Sequence, residues 1–143
     1  MIYRSIADLS VTISSNLHKI PRDIDLVVGI PRSGMLAANI IALQLNLKIT
    51  DLTGLLNDAE LKSGTTRKAL KEEVVNAWCA KKVLIVDDSV GSGKSIREVK
   101  GIISAKFIGR EVDFIYCSVF CSPKSISECD IYLELLDQPR YFE

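Results

Sequence analysis

Between Ile2 and Leu17 the apolar residues Ile2, Ile6, Leu9, Ile13 and Leu17 recur at spacings of three and four, which predicts an amphipathic helix. Pro21 and Asp23 interrupt that stripe. Asp25 to Ile30 (DLVVGI) is a short apolar run with β-branched residues and predicts a buried strand. A turn, PRSG (Pro31 to Gly34), leads into MLAANIIALQLN, apolar on nearly every side as a covered helix is, and LKIT continues as a second strand. Residues 53 to 73 change character: the middle is polar, with Gly64 beside two threonines and Arg67-Lys68. This predicts a mobile loop with some helix on its far side. Lys82 to Val86 is a third strand. Ser95 to Lys106 carries Ile96, Val99, Ile102 and Ile103 on one helical face, VDFIYCSVF is a fourth strand and DIYLEL a fifth. Strands alternating with helices imply an α/β fold, a parallel β-sheet flanked by helices on both faces.

Composition adds bounds. A chain of 143 residues is close to the ~150 expected of one domain, so residues 1–143 are read as a single unit without repeat or linker. Eighteen basic residues balance eighteen acidic ones, so no long-range field favours nucleic acid or an anionic membrane. No apolar run reaches the ~18 residues of a membrane span, and MIYRSIADLS lacks the pattern of a signal peptide. A cytoplasmic location follows as the expectation. Cys79, Cys117, Cys121 and Cys129 form no CxxC pair and lie far from His18, the only histidine. Buried, reduced thiols are expected rather than a metal site or a disulfide framework.

The chemistry concentrates in VLIVDDSVGSGKS, Val83 to Ser95. Its end suggests an ATP-binding P-loop, but that motif needs a glycine five residues before Gly93, and the position holds Asp88. An acid there would repel phosphate. Its start suggests a receiver domain, with Asp137 as phosphate acceptor, but too little chain follows for that fold and the GSGKS turn has no role in it. One arrangement uses every residue: a strand ending at Asp87 and Asp88, a turn through Gly91, Ser92 and Gly93, and a helix starting near Ser95. Amides at a helix start, glycines permitting close approach and the Ser92 and Ser95 hydroxyls form a phosphate cradle. The acids beside it suit vicinal hydroxyls, or magnesium held through water. A 5-phosphoribosyl group carries both features.

Those thirteen residues resemble the motif of type I phosphoribosyltransferases: four apolar residues, two acids, two spacers and a glycine-rich phosphate loop. The resemblance implies that Asp87 and Asp88 contact the ribose hydroxyls of phosphoribosyl pyrophosphate (PRPP), and that Gly91, Ser92, Gly93, Lys94 and Ser95 bind its 5-phosphate. It also implies Mg2+ as cofactor, held by Asp87 and Asp88 through water. The family binds pyrophosphate on a loop after its first core strand, the place of Pro31, Arg32, Ser33 and Gly34 here. That turn sometimes holds a strained or cis peptide in family members. A flexible loop that closes over the reacting centre corresponds to residues 57 to 69, with Lys62, Arg67 and Lys68 as candidates to meet the leaving pyrophosphate. The catalytic candidates are thus Asp87, Asp88, Arg32, Arg67 and Lys68.

The implied reaction displaces pyrophosphate from PRPP with a ring nitrogen of a nucleobase. Enzymes of this family for six-oxopurines commonly place an acid where this chain has Gly91, which disfavours hypoxanthine and guanine, although Lys94 resembles that branch. Orotate or another base moves up as the acceptor on this reading. The alternatives are a purine phosphoribosyltransferase and a non-catalytic PRPP-binding regulator. The base-binding hood is minimal, with residues 1 to 22 and the tail from Asp137 as its only candidates. The ending Pro-Arg-Tyr-Phe-Glu stops abruptly after an aromatic pair, so the natural chain is expected to continue and the sequence to be truncated at the C-terminus. The resemblance implies a homodimer, with no nucleic-acid or membrane partner.

Overall fold

The computed structural model describes residues 5–62 and 68–136. Its elements in chain order are α1 (Ile6–Ser15), β1 (Leu26–Gly29), α2 (Ser33–Leu45), β2 (Ile49–Asp51), α3 (Leu52–Leu56), β3 (Lys82–Val90), α4 (Lys94–Lys106), β4 (Asp113–Cys121) and β5 (Ile131–Leu135). Short 3-10 turns occupy Leu17–Lys19, Ala77–Cys79 and Pro123–Glu128. The five strands form one sheet in the order β2-β1-β3-β4-β5, and every pairing is parallel.

Side chains alternate across the strands and so divide the interior into two layers. Val27, Leu84, Val86, Cys117 and Val119 face α1 and α2, whose Leu9, Ile13, Ala38 and Ile41 are buried against them. Leu26, Val28, Val83 and Ile85 face the opposite way, onto Leu55 of α3 and Ile96, Val99 and Ile103 of α4. With both faces covered, strand runs need no polar alternation, which is why LVVGI and VLIV are uniformly apolar. The start of the chain, a hood candidate, contributes α1 to the first helical layer. The tail from Asp137 lies outside the described residues.

Several elements differ from expectation. β3 does not stop at Val86: Asp87, Ser89 and Val90 pair with Ser118, Phe120 and Cys121 of β4, so both acids lie within the strand. In the 53–73 segment the helix is on the near side. The Asp51 carboxylate caps it by accepting the Gly54 amide at 2.7 Å. On the far side the carbonyls of Lys68, Glu72 and Val74 accept from the side chains of Asn46 and Lys48 instead of from a helix. Ile102 is exposed while its helix neighbours are buried. All four cysteines are free, but Cys79, in a 3-10 turn, is exposed rather than buried. Among the described residues no helix is long and apolar enough to cross a membrane.

Candidate functional site

The PRSG turn and the GSGKS loop leave the same edge of the sheet, because β1 and β3 are parallel neighbours. From β1 the chain proceeds to β2 on one side, whereas β3 leads to β4 and β5 on the other. In open parallel sheets ligands bind in the crevice outside the carboxyl ends at such a reversal. The PRSG turn also packs against β3 at the acid pair. A Cβ added to Gly34 would lie 2.9 Å from the Val86 carbonyl oxygen and 3.4 Å from Asp87 Oδ1, so only glycine lets α2 begin this close to β3. The peptide between Pro31 and Arg32 is cis. Arg32 and Ser33 are exposed, Gly34 is buried, and no side chain caps the start of α2.

The acid pair sits where β3 outruns β1. Pairing with β1 ends at Gly29–Val86, while pairing with β4 continues to Val90, so Asp87 and Asp88 lie on a strand with one side open. Both are buried, at 8% and 4% exposure. Asp87 Oδ1 accepts the Asp88 amide at 2.8 Å, while Asp88 Oδ2 has no hydrogen-bond partner among the described residues. Burial first, and the neighbouring Asp88 carboxyl second, push the Asp87 pKa up to about 8. A buried carboxylate oxygen without a partner costs free energy in the ligand-free chain. It is satisfied by a hydroxyl donor or a cation.

Asp87, Ser89 and Val90 then line one side of a cavity of about 60 Å³ closed by Gly91 to Ile96. That is well short of the roughly 300 Å³ where whole-ligand pockets begin, so it suits one end of a ligand. Gly93 has φ +84°, a left-handed conformation that starts α4 abruptly after the strand. The Ser92 hydroxyl accepts the Lys94 amide at 3.3 Å, and Lys94 and Ser95 stand exposed on the first turn of α4. A 13-residue helix opening on this cavity presents donor amides and the positive end of its dipole to an anion.

The third expected component, the 57–69 loop, is described only in part, because residues 63–67 are not among the described residues. Arg67 lies outside the described residues. Lys68 is exposed, and its main-chain carbonyl is bound by Asn46 Nδ2 at 3.0 Å in the turn between α2 and β2. Sequence reasoning also missed three side chains behind the cavity, Arg97, Ser125 and Glu128. Arg97 and Ser125 bond the loop's backbone and Glu128 pairs with Arg97, and their neighbours in sequence carry no signal of this.

A family model described as phosphoribosyl transferase domain matches residues 1–107. The fold resembles a purine phosphoribosyltransferase from Pyrococcus horikoshii at TM-score 0.64 and 17% identity, covering 99% of this chain and 91% of that one. It resembles the Helicobacter pylori xanthine-guanine-hypoxanthine phosphoribosyltransferase at TM-score 0.65 and 19% identity, covering 98% and 90%. An orotate phosphoribosyltransferase from Aeropyrum pernix aligns at TM-score 0.54 and 16% identity, over 92% of this chain and 73% of that one. With that family match over most of its length, and an acid pair and phosphate-sized cavity at the sheet's reversal point, the chain belongs to the phosphoribosyl transferase domain family.

Proposed function

We propose that the chain is a single phosphoribosyltransferase domain that transfers the 5-phosphoribosyl group of PRPP to a ring nitrogen of a nucleobase, releasing pyrophosphate. The observation that carries this is Asp87, which lines the phosphate-sized cavity and lies against Gly34 of the PRSG turn, with the partnerless, buried Asp88 Oδ2 on the next residue. The 5-phosphate would lie on Gly91 to Ser95. The ribose hydroxyls would donate to Asp87 and Asp88, and the diphosphate would meet the Pro31 to Gly34 turn with the exposed Arg32 guanidinium beside it.

Holding both ends of PRPP fixes the anomeric carbon between them. There the bond to the diphosphate oxygen breaks, its electron pair leaving with the diphosphate, as the bond to the base nitrogen forms and that nitrogen's proton passes to solvent or to the departing diphosphate. Positive charge at the sugar and negative charge on the leaving group develop together. Arg32 and the turn's amides oppose the second, and basic residues of the 57–69 segment, Arg67 and Lys68 among them, would add to this on closure. Two carboxylates with a free oxygen fit Mg2+, which takes one or two protein carboxylates with water and ligand oxygens. Bound there, the ion would neutralise diphosphate charge.

For the acceptor, orotate is favoured over a six-oxopurine because Gly91 supplies no carboxylate to assist a purine ring nitrogen. The test is pyrophosphate release from PRPP and Mg2+ with a panel of bases, alongside thermal unfolding with PRPP. At a hundred times its dissociation constant PRPP should stabilise by ~2.7 kcal/mol, a shift of several degrees. Release with orotate supports the reading in full, and release with a purine moves only the acceptor. Stabilisation without release under any base would make the chain a PRPP-binding regulator instead. Neither stabilisation nor release would overturn the proposal.

A further inference from the structure

The loop that lines the cavity is held from behind by residues that the family motif does not include. Ser125, 2% exposed in the 3-10 turn between β4 and β5, donates its hydroxyl to the Gly91 carbonyl at 2.5 Å. Arg97, one turn into α4, donates Nη1 to the Ser92 carbonyl at 3.3 Å and to Glu128 Oε1 at 3.0 Å. Glu128 closes the same 3-10 turn, and its own carbonyl accepts Lys100 Nζ at 2.6 Å. The Ser122 amide bonds the Val90 carbonyl at 2.9 Å, continuing the pattern along the strand end. Three successive loop carbonyls, of Val90, Gly91 and Ser92, are therefore bonded to the 122–128 segment or to the arginine it pairs with.

The consequence follows from peptide geometry. The only cis peptide among the described residues is Pro31–Arg32, so the bonds joining Gly91, Ser92 and Gly93 are trans. In a planar trans peptide the N–H points opposite to the C=O. Turning the Gly91 and Ser92 carbonyls toward Ser125 and Arg97 turns the Ser92 and Gly93 amides the other way, and neither amide has an acceptor among the described residues. Space is tight behind the loop as well: a Cβ on Gly93 would lie 2.8 Å from both Arg97 Nη1 and Glu128 Cγ.

The geometry assigns Ser125 and the Arg97–Glu128 pair a role as positioning residues, which hold the phosphate loop's carbonyls outward so that the Ser92 and Gly93 amides face the phosphate. This rests on the phosphoribosyl reading of the site and deepens it. The residues act on the 5-phosphate end alone, since none of them touches the Pro31 to Gly34 turn.

Calorimetric titration of the full chain with ribose 5-phosphate and, separately, with inorganic pyrophosphate tests the assignment. Ser125→Ala should weaken ribose 5-phosphate binding about tenfold and leave pyrophosphate binding unchanged, and Ser125→Thr, which keeps the hydroxyl, should recover most of the loss. Arg97→Gln should act in the same direction. Its side chain is 53% exposed, so it reports even if Ser125→Ala folds poorly. Ribose 5-phosphate affinity equal to wild type in both variants would overturn the brace, and so would an equal loss for both ligands, which marks a general structural defect. Wild-type protein that binds neither ligand would overturn the phosphoribosyl reading itself, and the brace with it.

Discussion

Among the described residues the buried acidic and basic side chains fall in two places, and they are treated in opposite ways. Lys48, 5% exposed, immediately precedes β2 at the amino-terminal end of the strands. Its ammonium meets the Glu72 carboxylate at 3.2 Å and the carbonyls of Glu72 and Val74 at 3.3 and 3.0 Å. Asp87 and Asp88 lie toward the carboxyl end of β3, beside each other, and Asp88 Oδ2 has no partner among the described residues. The cation's partners come from its own chain and fasten residues 72–74 to the sheet edge. The two carboxyls instead neighbour each other, and Asp87 lines the cavity of the glycine loop. A buried ammonium with several partners is settled within the fold, whereas a buried carboxyl oxygen short of partners is open to a donor or cation from outside.

The comparison breaks most visibly if the acids are neutralised. Asp87→Asn with Asp88→Asn should cost about a thousandfold in PRPP affinity, roughly 4 kcal/mol at 1.4 per factor of ten. The melting temperature at pH 8 should hold or rise, because like-charge repulsion and desolvation disappear together. Calorimetry with PRPP and a thermal melt check both halves. Unchanged turnover would remove the acids from the site. A large drop in melting temperature would make them structural like Lys48.

The opposite variant should have the opposite profile. Lys48→Ala leaves two carbonyls and a carboxylate without their donor, and should destabilise by about 3 kcal/mol, roughly 10 °C here. The phosphate loop is at the other end of the strands, so ribose 5-phosphate affinity of the folded protein should not change. Loss of that affinity in protein shown to be folded would couple the two ends and undo the contrast.

A smaller effect is expected from pH. Asp87 is raised from 3.8 to about 8, so between those values the folded chain keeps a proton that the unfolded chain has released. Its contribution therefore favours folding at low pH, declines as pH rises from about 4 and is fully lost above about 8. Ligand-free protein should lose a few degrees of melting temperature across that range, and Asp87→Asn should flatten the slope. A slope that is unchanged in the variant would assign it to other groups.

How much of this was legible in sequence depends on how local each cause is. The strands β1, β3, β4 and β5 and the helix α4 were visible because apolar runs and a three-four stripe are written in consecutive residues. The acid pair and glycine loop were visible for the same reason. Strand order was not, since nothing local says that β1 lies between β2 and β3. The continuation of β3 through Asp87 to Val90 depends on β4 being there to pair with it. The helix in the 53–73 segment was placed on the wrong side because Asn46 and Lys48, distant in sequence, claim the far-side carbonyls. Ser125 was invisible for the strongest form of that reason. One serine in a polar stretch acquires a role only because its turn folds behind Gly91.

The weakest perturbation asks what neutralises Lys48. Glu72 is 42% exposed, so its attraction is screened and belongs with surface pairs worth about 0.2–1 kcal/mol. The two carbonyls that meet the ammonium, by contrast, are acceptors supplied by backbone fixed in place: the Val74 amide bonds the Lys71 carbonyl and the Leu61 amide bonds Val75. Glu72→Gln should therefore cost well under 1 kcal/mol, about a fifth of the Lys48→Ala loss. Urea unfolding of both variants beside wild type resolves that ratio. Equal losses would mean that the carboxylate, not the backbone dipoles, holds the lysine in the interior. Lys48 would then be half of an ordinary ion pair, and its distinction from the acid pair would reduce to the presence of one opposite charge.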